Sequence, residues 1–263
     1  MDILSHLPLD YPWKAHLHHF PTIDSTNDRL KTMARQGAPH GTVLIADHQT
    51  AGHGRLGRSF HSPSASGVYL SILLRPQCKP TELMHLTCAA AVAMCDAVEK
   101  AIGLRPCIKW TNDLVYGKRK LGGILTELGF TPDGRVDYAI VGIGINCCQQ
   151  ATDFPEEIAS IASSLSLISG KTVDRGQVAA AMMEALWQMD GKLLTQPENI
   201  LARYRADCIT VGQEISLVRG EEVRHGLAVS VDDQGALVVQ FPDGHREAVN
   251  SGEVSIRGMY GYI

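Results

Sequence analysis

The sequence predicts an α/β domain followed by a small β-barrel, divided near residue 208, so that 1–207 and 208–263 form unequal units. Three observations carry that expectation. Residues 106–146 alternate apolar runs with turn signals, as paired strands do. Helical periodicity appears on both sides of them, over 81–102 and again between 175 and 207. From Ile209 onward short β-rich runs alternate with turns at Asp232-Asp-Gln-Gly235 and Pro242-Asp-Gly244.

Taken in order, Ala15-His-Leu-His-His19 reads as a partly exposed strand. His16 and His18 would share one face with no second ligand group nearby, so a metal cluster is not expected. Asp24-Ser-Thr-Asn27 stands at a helix entrance, with Ser25 or Asp24 as N-cap and Gly37 as the stop. Thr42 to Ala46 and Val68 to Leu74 are apolar strands flanking a glycine-rich loop. Leu83, Leu86, Ala90, Ala93 and Val98 then give a buried helix, which Gly103 ends. Turns at Tyr116-Gly-Lys-Arg-Lys120 and Thr131-Pro-Asp-Gly134 punctuate an extended sheet. Helices follow at 175–194 and 199–207.

Composition sets limits. At 263 residues, 44% hydrophobic and 20% charged, the chain can bury a substantial core. A net charge of -4 and a pI of about 6.2 give no general pull toward nucleic acid or anionic lipid, so any anion site must be local. No apolar stretch is expected to cross a membrane, and the N-terminus lacks the layout of a signal peptide. Seven cysteines, without a C-x-x-C pair, point to reduced thiols in a cytoplasmic setting.

The glycine-rich run Gln49-Thr-Ala-Gly-His-Gly-Arg-Leu-Gly-Arg58 satisfies G-x-G-x-x-G at Gly52, Gly54 and Gly57. A dinucleotide site needs a helix to begin there and an acidic residue about twenty positions on. Instead His61-Ser-Pro-Ser-Ala-Ser-Gly67 breaks any helix, leaving a cationic anion-binding loop between two strands. A second segment joins Lys109-Trp-Thr-Asn-Asp113 to Lys120-Leu-Gly-Gly-Ile-Leu-Thr-Glu127. Its lysines suit phosphate or carboxylate oxygens, Asn112 and Asp113 suit ligand orientation or a magnesium ion, and Gly122-Gly123 marks a close approach to the backbone.

Together with Ser62-Pro63, Leu74-Arg75-Pro76, Gly142-Ile-Gly-Ile-Asn146 and Gly252-Glu-Val-Ser-Ile-Arg257, these segments stand in an order that resembles biotin protein ligase over nearly the whole chain. The resemblance implies a catalytic domain like that of class II aminoacyl-tRNA synthetases, with a mixed, mainly antiparallel sheet, and an SH3-like barrel. It implies ATP-dependent formation of biotinyl-adenylate, then transfer of biotin to a lysine of a biotin carboxyl carrier protein, with magnesium. Lipoate-protein ligase and a non-catalytic biotin-binding module are the alternatives.

By the resemblance, Lys120, Arg55 and Arg58 are catalytic. Ser25, Thr26, Gln49, Gly52, His53, Trp110, Lys120 and Gly123 bind biotin. Arg55, Arg58, Lys109, Asn112, Asn146 and Arg257 serve ATP, and Asp113 holds the metal. Only 23 residues precede Asp24, too few for a helix-turn-helix, so no DNA and no membrane partner is expected; a homodimer is allowed. The chain departs from the family at His53 and Leu56, where arginines are usual, at Phe60 in place of tryptophan and at Thr111 in place of proline.

Overall fold

The first regular strand is a four-residue edge strand in which Leu17 and Phe20 pack against hydrophobic clusters while His18 and His19 are exposed. The computed structural model describes residues 1–219, 221–250 and 253–256. Strand β1 (Leu17–Phe20) is joined to β2 (Thr42–Ala46) through helix α1 (Thr26–Arg35), and this crossover makes their pairing parallel. Ser25 caps α1 by accepting from the Asp28 amide, and Gly37, at φ 87, takes the chain away from it. Strand β3 (Gly67–Leu74) returns antiparallel to β2, and both are buried throughout.

Helix α2 (Leu86–Ile102) begins later than the periodicity indicates, because Pro80–Leu83 forms a separate 3-10 turn. Gly103, at φ 75, ends it as expected. The spanning segment ruled out on composition does exist in one sense: Pro80–Ile102 is 23 residues long and apolar enough to cross a membrane. Within this molecule 72% of its apolar window is buried, so it is a core helix.

Strands β4 (Cys107–Lys109), β5 (Asp113–Tyr116), β6 (Arg119–Phe130) and β7 (Val136–Asn146) complete a sheet ordered β1-β2-β3-β7-β6-β5-β4. Period-two alternation divides it into two faces. Val43, Ile45, Leu70 and Ile72 join the core that includes Ala89 to Met94 of α2. Leu44, Ala46, Leu73 and Ile140 pack on the opposite side with Leu30 of α1. Two short helices not anticipated from the sequence, α3 (Glu156–Ala159) and α4 (Leu165–Ser169), precede α5 (Arg175–Asp190) and α6 (Pro197–Asp207).

A smaller antiparallel sheet follows, built from β8 (Glu214–Arg219), β9 (Glu222–Val231), β10 (Leu237–Gln240), β11 (Arg246–Val249) and β12 (Glu253–Ile256), in the order β11-β10-β9-β8-β12. Its inward residues Ile215, Leu217, Leu237 and Val239 belong to the same continuous core as α2 and the large sheet. The indole of Trp110 donates to the Gly235 carbonyl at 3.0 Å, and the Ile209 amide donates to the Ile108 carbonyl at 3.0 Å. The expected mixed, mainly antiparallel sheet with a small C-terminal β-unit is therefore the architecture found.

Candidate functional site

Three glycines on neighbouring strands leave a bare patch on the face of the large sheet that carries α1. Gly123 pairs with Gly144 and Leu125 with Gly142, so Gly123, Gly142 and Gly144 share a face. A Cβ at Gly142 would overlap the Asn27 amide, and one at Gly144 would overlap the Phe60 ring. The missing side chains let those two groups lie against the sheet and leave a cavity of about 270 Å³ beside them. This volume suits a small organic ligand.

The entrance of α1 forms one wall. Thr26 donates from its amide to Oε1 of Gln49 at 2.8 Å, with its hydroxyl oxygen 3.0 Å from the same atom, and Gln49 Nε2 donates to Ser62 Oγ at 3.2 Å. The first turn of the helix is thereby tied to both ends of the glycine-rich loop. Ser25, Thr26 and Asn27 are all buried, yet all line the cavity.

The loop itself is a narrow ribbon that forms the roof. The Phe60 amide donates to the Gly52 carbonyl at 2.8 Å and the Gly54 amide to the Arg58 carbonyl at 2.7 Å, with Arg55–Gly57 as the tip. Leu56 sits there with φ 57 and is 73% exposed. Arg55 reaches down and donates from Nη1 to Asn112 Oδ1 at 3.0 Å. Burial pulls the guanidinium somewhat below its ordinary pKa, Asp113 opposing, and it stays charged at neutral pH. His53 turns toward α1, its Nδ1 3.7 Å from Asp28 Oδ2.

The opposite wall comes from β4, β5 and the start of β6. Lys120 donates from Nζ to Asp113 Oδ1 at 2.7 Å, and the pair stands over Gly123, where an added Cβ would meet both. Asn112 is oriented by donating to the Ile124 carbonyl at 2.9 Å. Lys109 and Trp110 are buried wall residues, and the peptide bond after Trp110 is cis. Asn146 closes the far end; its amide donates to the Ser163 carbonyl at 3.0 Å and its carbonyl accepts from Gln149 at 3.2 Å.

Thus Ser25, Thr26, Gln49, His53, Arg55, Arg58, Lys109, Trp110, Asn112, Asp113, Lys120, Gly123 and Asn146 all line one cavity. Gly52 does not: it is packed behind the wall against Ser62, Gln49 and the Phe60 carbonyl, so its part is to let the ribbon close. Arg257 lies outside the described residues. Sequence reasoning missed Asn27, Phe60 and His61, whose buried Nε2 finds no partner among the described residues, and the wall from Phe154 to Ala162. That wall is added by backbone pairing of Lys120 with Ile161 and Ser163, for which no side-chain pattern exists.

The site is electropositive by local arrangement. Among the described residues Asp113 is the only carboxylate lining the cavity, against four cations. No cysteine lines it, and burial pushes the Cys88 thiol up to about 12 and those of Cys95 and Cys147 higher still. Such an arrangement can hold a dianionic phosphate beside a carboxylate under a closable roof, and thiol chemistry is not available to it.

Residues 19–146 match the biotin/lipoate A/B protein ligase family and residues 210–257 the biotin protein ligase C-terminal domain. The chain is 35% identical over 232 residues to a bifunctional ligase/repressor of Bacillus subtilis, covering 87% of this chain and 70% of that protein. It is 32% identical to the biotin–[acetyl-CoA-carboxylase] ligase of Mycobacterium tuberculosis over 88% of this chain and 85% of that one. Among solved structures, the biotin protein ligase of Aquifex aeolicus in complex with biotin and ATP superposes with a TM-score of 0.77 at 31% identity, covering 92% of this chain and 98% of that one.

Proposed function

The chain belongs to the biotin/lipoate A/B protein ligase family, and from that premise we propose how its cavity performs the ATP-dependent ligation of biotin. The observation that carries the reading is the convergence of Lys120, Arg55 and Lys109 on a cavity whose other end is the neutral Thr26 and Gln49 pair. A ligand with a polar uncharged ring at one end and a carboxylate at the other fits that gradient.

In the first step the biotin carboxylate oxygen forms a bond to the α-phosphorus of ATP, and pyrophosphate leaves. Lys120 stands where charge develops on the phosphate, and Arg55 and Arg58 close over it from the roof. In the second step a carrier-protein lysine attacks the acyl carbon, and AMP leaves. The ribbon keeps water from the mixed anhydride in between. Trp110 and the segment around Phe154 supply apolar walls.

Among the described residues no group of three or more His, Cys, Asp or Glu could cage a metal. Asp113, the carboxylate lining the cavity, would hold a magnesium ion that is otherwise coordinated by the triphosphate. When bound it supplies charge neutralisation for the phosphates.

The acceptor lysine of a biotin carboxyl carrier protein is proposed from the relatives' activity toward acetyl-CoA carboxylase. Exchange of labelled pyrophosphate into ATP, with biotin or lipoate as the only added acid, tests the assignment. Biotin dependence is expected; dependence on lipoate overturns it.

A further inference from the structure

Glu127 does not line the cavity, yet it holds the first link of a hydrogen-bond chain that ends in it. Its Oε2 accepts from Asn27 Nδ2 at 2.8 Å and its Oε1 from Lys31 Nζ at 2.9 Å. Lys31 loses solvent at this position, but its bonds to Asp28 and Glu127 outweigh that and raise its pKa, so the cation beside Glu127 is kept. A carboxylate can only accept. Asn27 must therefore point its nitrogen at Glu127 and its carbonyl at Ser71.

Ser71 is fully buried, so its hydroxyl has no water to use. Its Oγ lies 2.6 Å from Asn27 Oδ1 and 2.7 Å from Thr26 Oγ1, and Thr26 Oγ1 lies 3.0 Å from Gln49 Oε1. These are three oxygen-to-oxygen contacts served by two hydroxyl protons. With Asn27 fixed by Glu127, the Ser71 proton goes to Asn27 Oδ1. Thr26 then supplies the contact to Ser71, and Thr26 Oγ1 and Gln49 Oε1 face each other as two acceptors with no hydrogen between them.

Both atoms belong to residues on the cavity wall. We propose that Glu127 is a positioning residue which, through Asn27 and Ser71, sets the proton direction in this chain so that Thr26 and Gln49 receive a ring N–H of the substrate. The inference rests on biotin being that substrate. A cyclic urea carries such a donor, whereas the disulfide ring of lipoate carries none, so the chain also selects between the two acids. Discrimination of this kind comes from buried polar groups left unpaired by the wrong ligand.

The test measures pyrophosphate exchange for Glu127→Ala, Glu127→Gln and Ser71→Ala, with KM for biotin and for ATP and kcat read separately. It also measures the preference for biotin over an analogue methylated at one ring nitrogen. Glu127→Ala should raise the biotin KM by roughly tenfold, the order of one hydrogen bond, leave the ATP KM within about twofold, and reduce the preference by a similar factor. Ser71→Ala should act in the same direction. Glu127→Gln, whose carbonyl can still accept from Asn27, should restore most of both quantities. An unchanged biotin KM and preference in Glu127→Ala, or a parallel rise in the KM of both substrates, overturns the proposal. If the unaltered protein shows no biotin-dependent exchange, the functional assignment itself has failed.

Discussion

Arg55 Nη1 and Asn112 Oδ1 lie 3.0 Å apart, joining the tip of the glycine-rich ribbon to the turn between β4 and β5. The ribbon's own backbone bonds are short-range, and this contact ties its tip down over the cavity. Arg55→Gly should free the roof and let biotinyl-adenylate escape before transfer. Single-turnover reactions without carrier protein, filtered and assayed for free adenylate, should show more of it than the unaltered protein; equal amounts would remove the closing role.

Lys120 meets Asp113 at 2.7 Å in a site that otherwise gathers cations. The contact holds the amine near Gly123 until a substrate oxygen competes for it. Lys120→Ala should slow adenylate formation at least about a hundredfold, the order found on removing one preorganised electrostatic donor. Asp113→Ala should do less to binding of biotin than to use of ATP and magnesium. Exchange rates across biotin, ATP and magnesium concentrations separate these effects.

Much of this site was legible because its chemistry is written in residue types at strand and helix ends. Ser25 as an N-cap, the break after Gly57 and the Lys109 to Lys120 segment each follow from local rules, and all meet in one cavity. Asn27 and Glu127 were present in the motifs but carried no readable role, since their pairing spans 100 positions and depends on the register of β6 against β7. The wall from Phe154 to Ala162 was illegible for a different reason: backbone bonds to β6 create it, and any side chains could make them. Helix α2 began late because a proline at position 80 reads equally as a first helical residue or as a 3-10 turn.

Gly122 faces the Gly144 carbonyl so closely that an added Cβ would overlap it. Backbone on a central strand cannot move aside as a side chain can. Gly122→Ala should therefore destabilise the fold by about 1–3 kcal/mol. Thermal unfolding is expected to fall several degrees, on the scale of ~2–4 °C per kcal/mol for a chain of this size class. A Tm equal to that of the unaltered protein would mean that the strands can separate locally.

Asp47 ends β2 between Arg175 and His19. Burial pushes its carboxyl up, but the bond and charge of Arg175 with the charge of His19 outweigh this and hold it below the usual value. A depressed folded-state pKa contributes stability above the unfolded value of 3.8 and loses it as pH falls through the folded value. Asp47→Asn should thus lower stability at neutral pH and flatten its decline below about pH 4. Denaturant unfolding measured from pH 3 to 7 checks this, and parallel curves for the two proteins would count against it.

Leu56 holds φ 57 at the tip of the ribbon, a conformation that costs an ordinary side chain roughly 1–2 kcal/mol. Its side chain is 73% exposed, so little packing offsets that cost. Asparagine adopts the left-handed region more readily and keeps a similar length. Leu56→Asn should therefore favour the closed ribbon with Arg55 on Asn112, and the release of biotinyl-adenylate should slow by about two- to fivefold, the Boltzmann factor of relieving roughly 0.4–1 kcal/mol of that cost. Glycine at the same place relieves the strain but also widens the open ensemble, so Leu56→Gly should gain less than Leu56→Asn. Release that quickens in Leu56→Asn would show that the observed tip conformation is not the one that retains the intermediate.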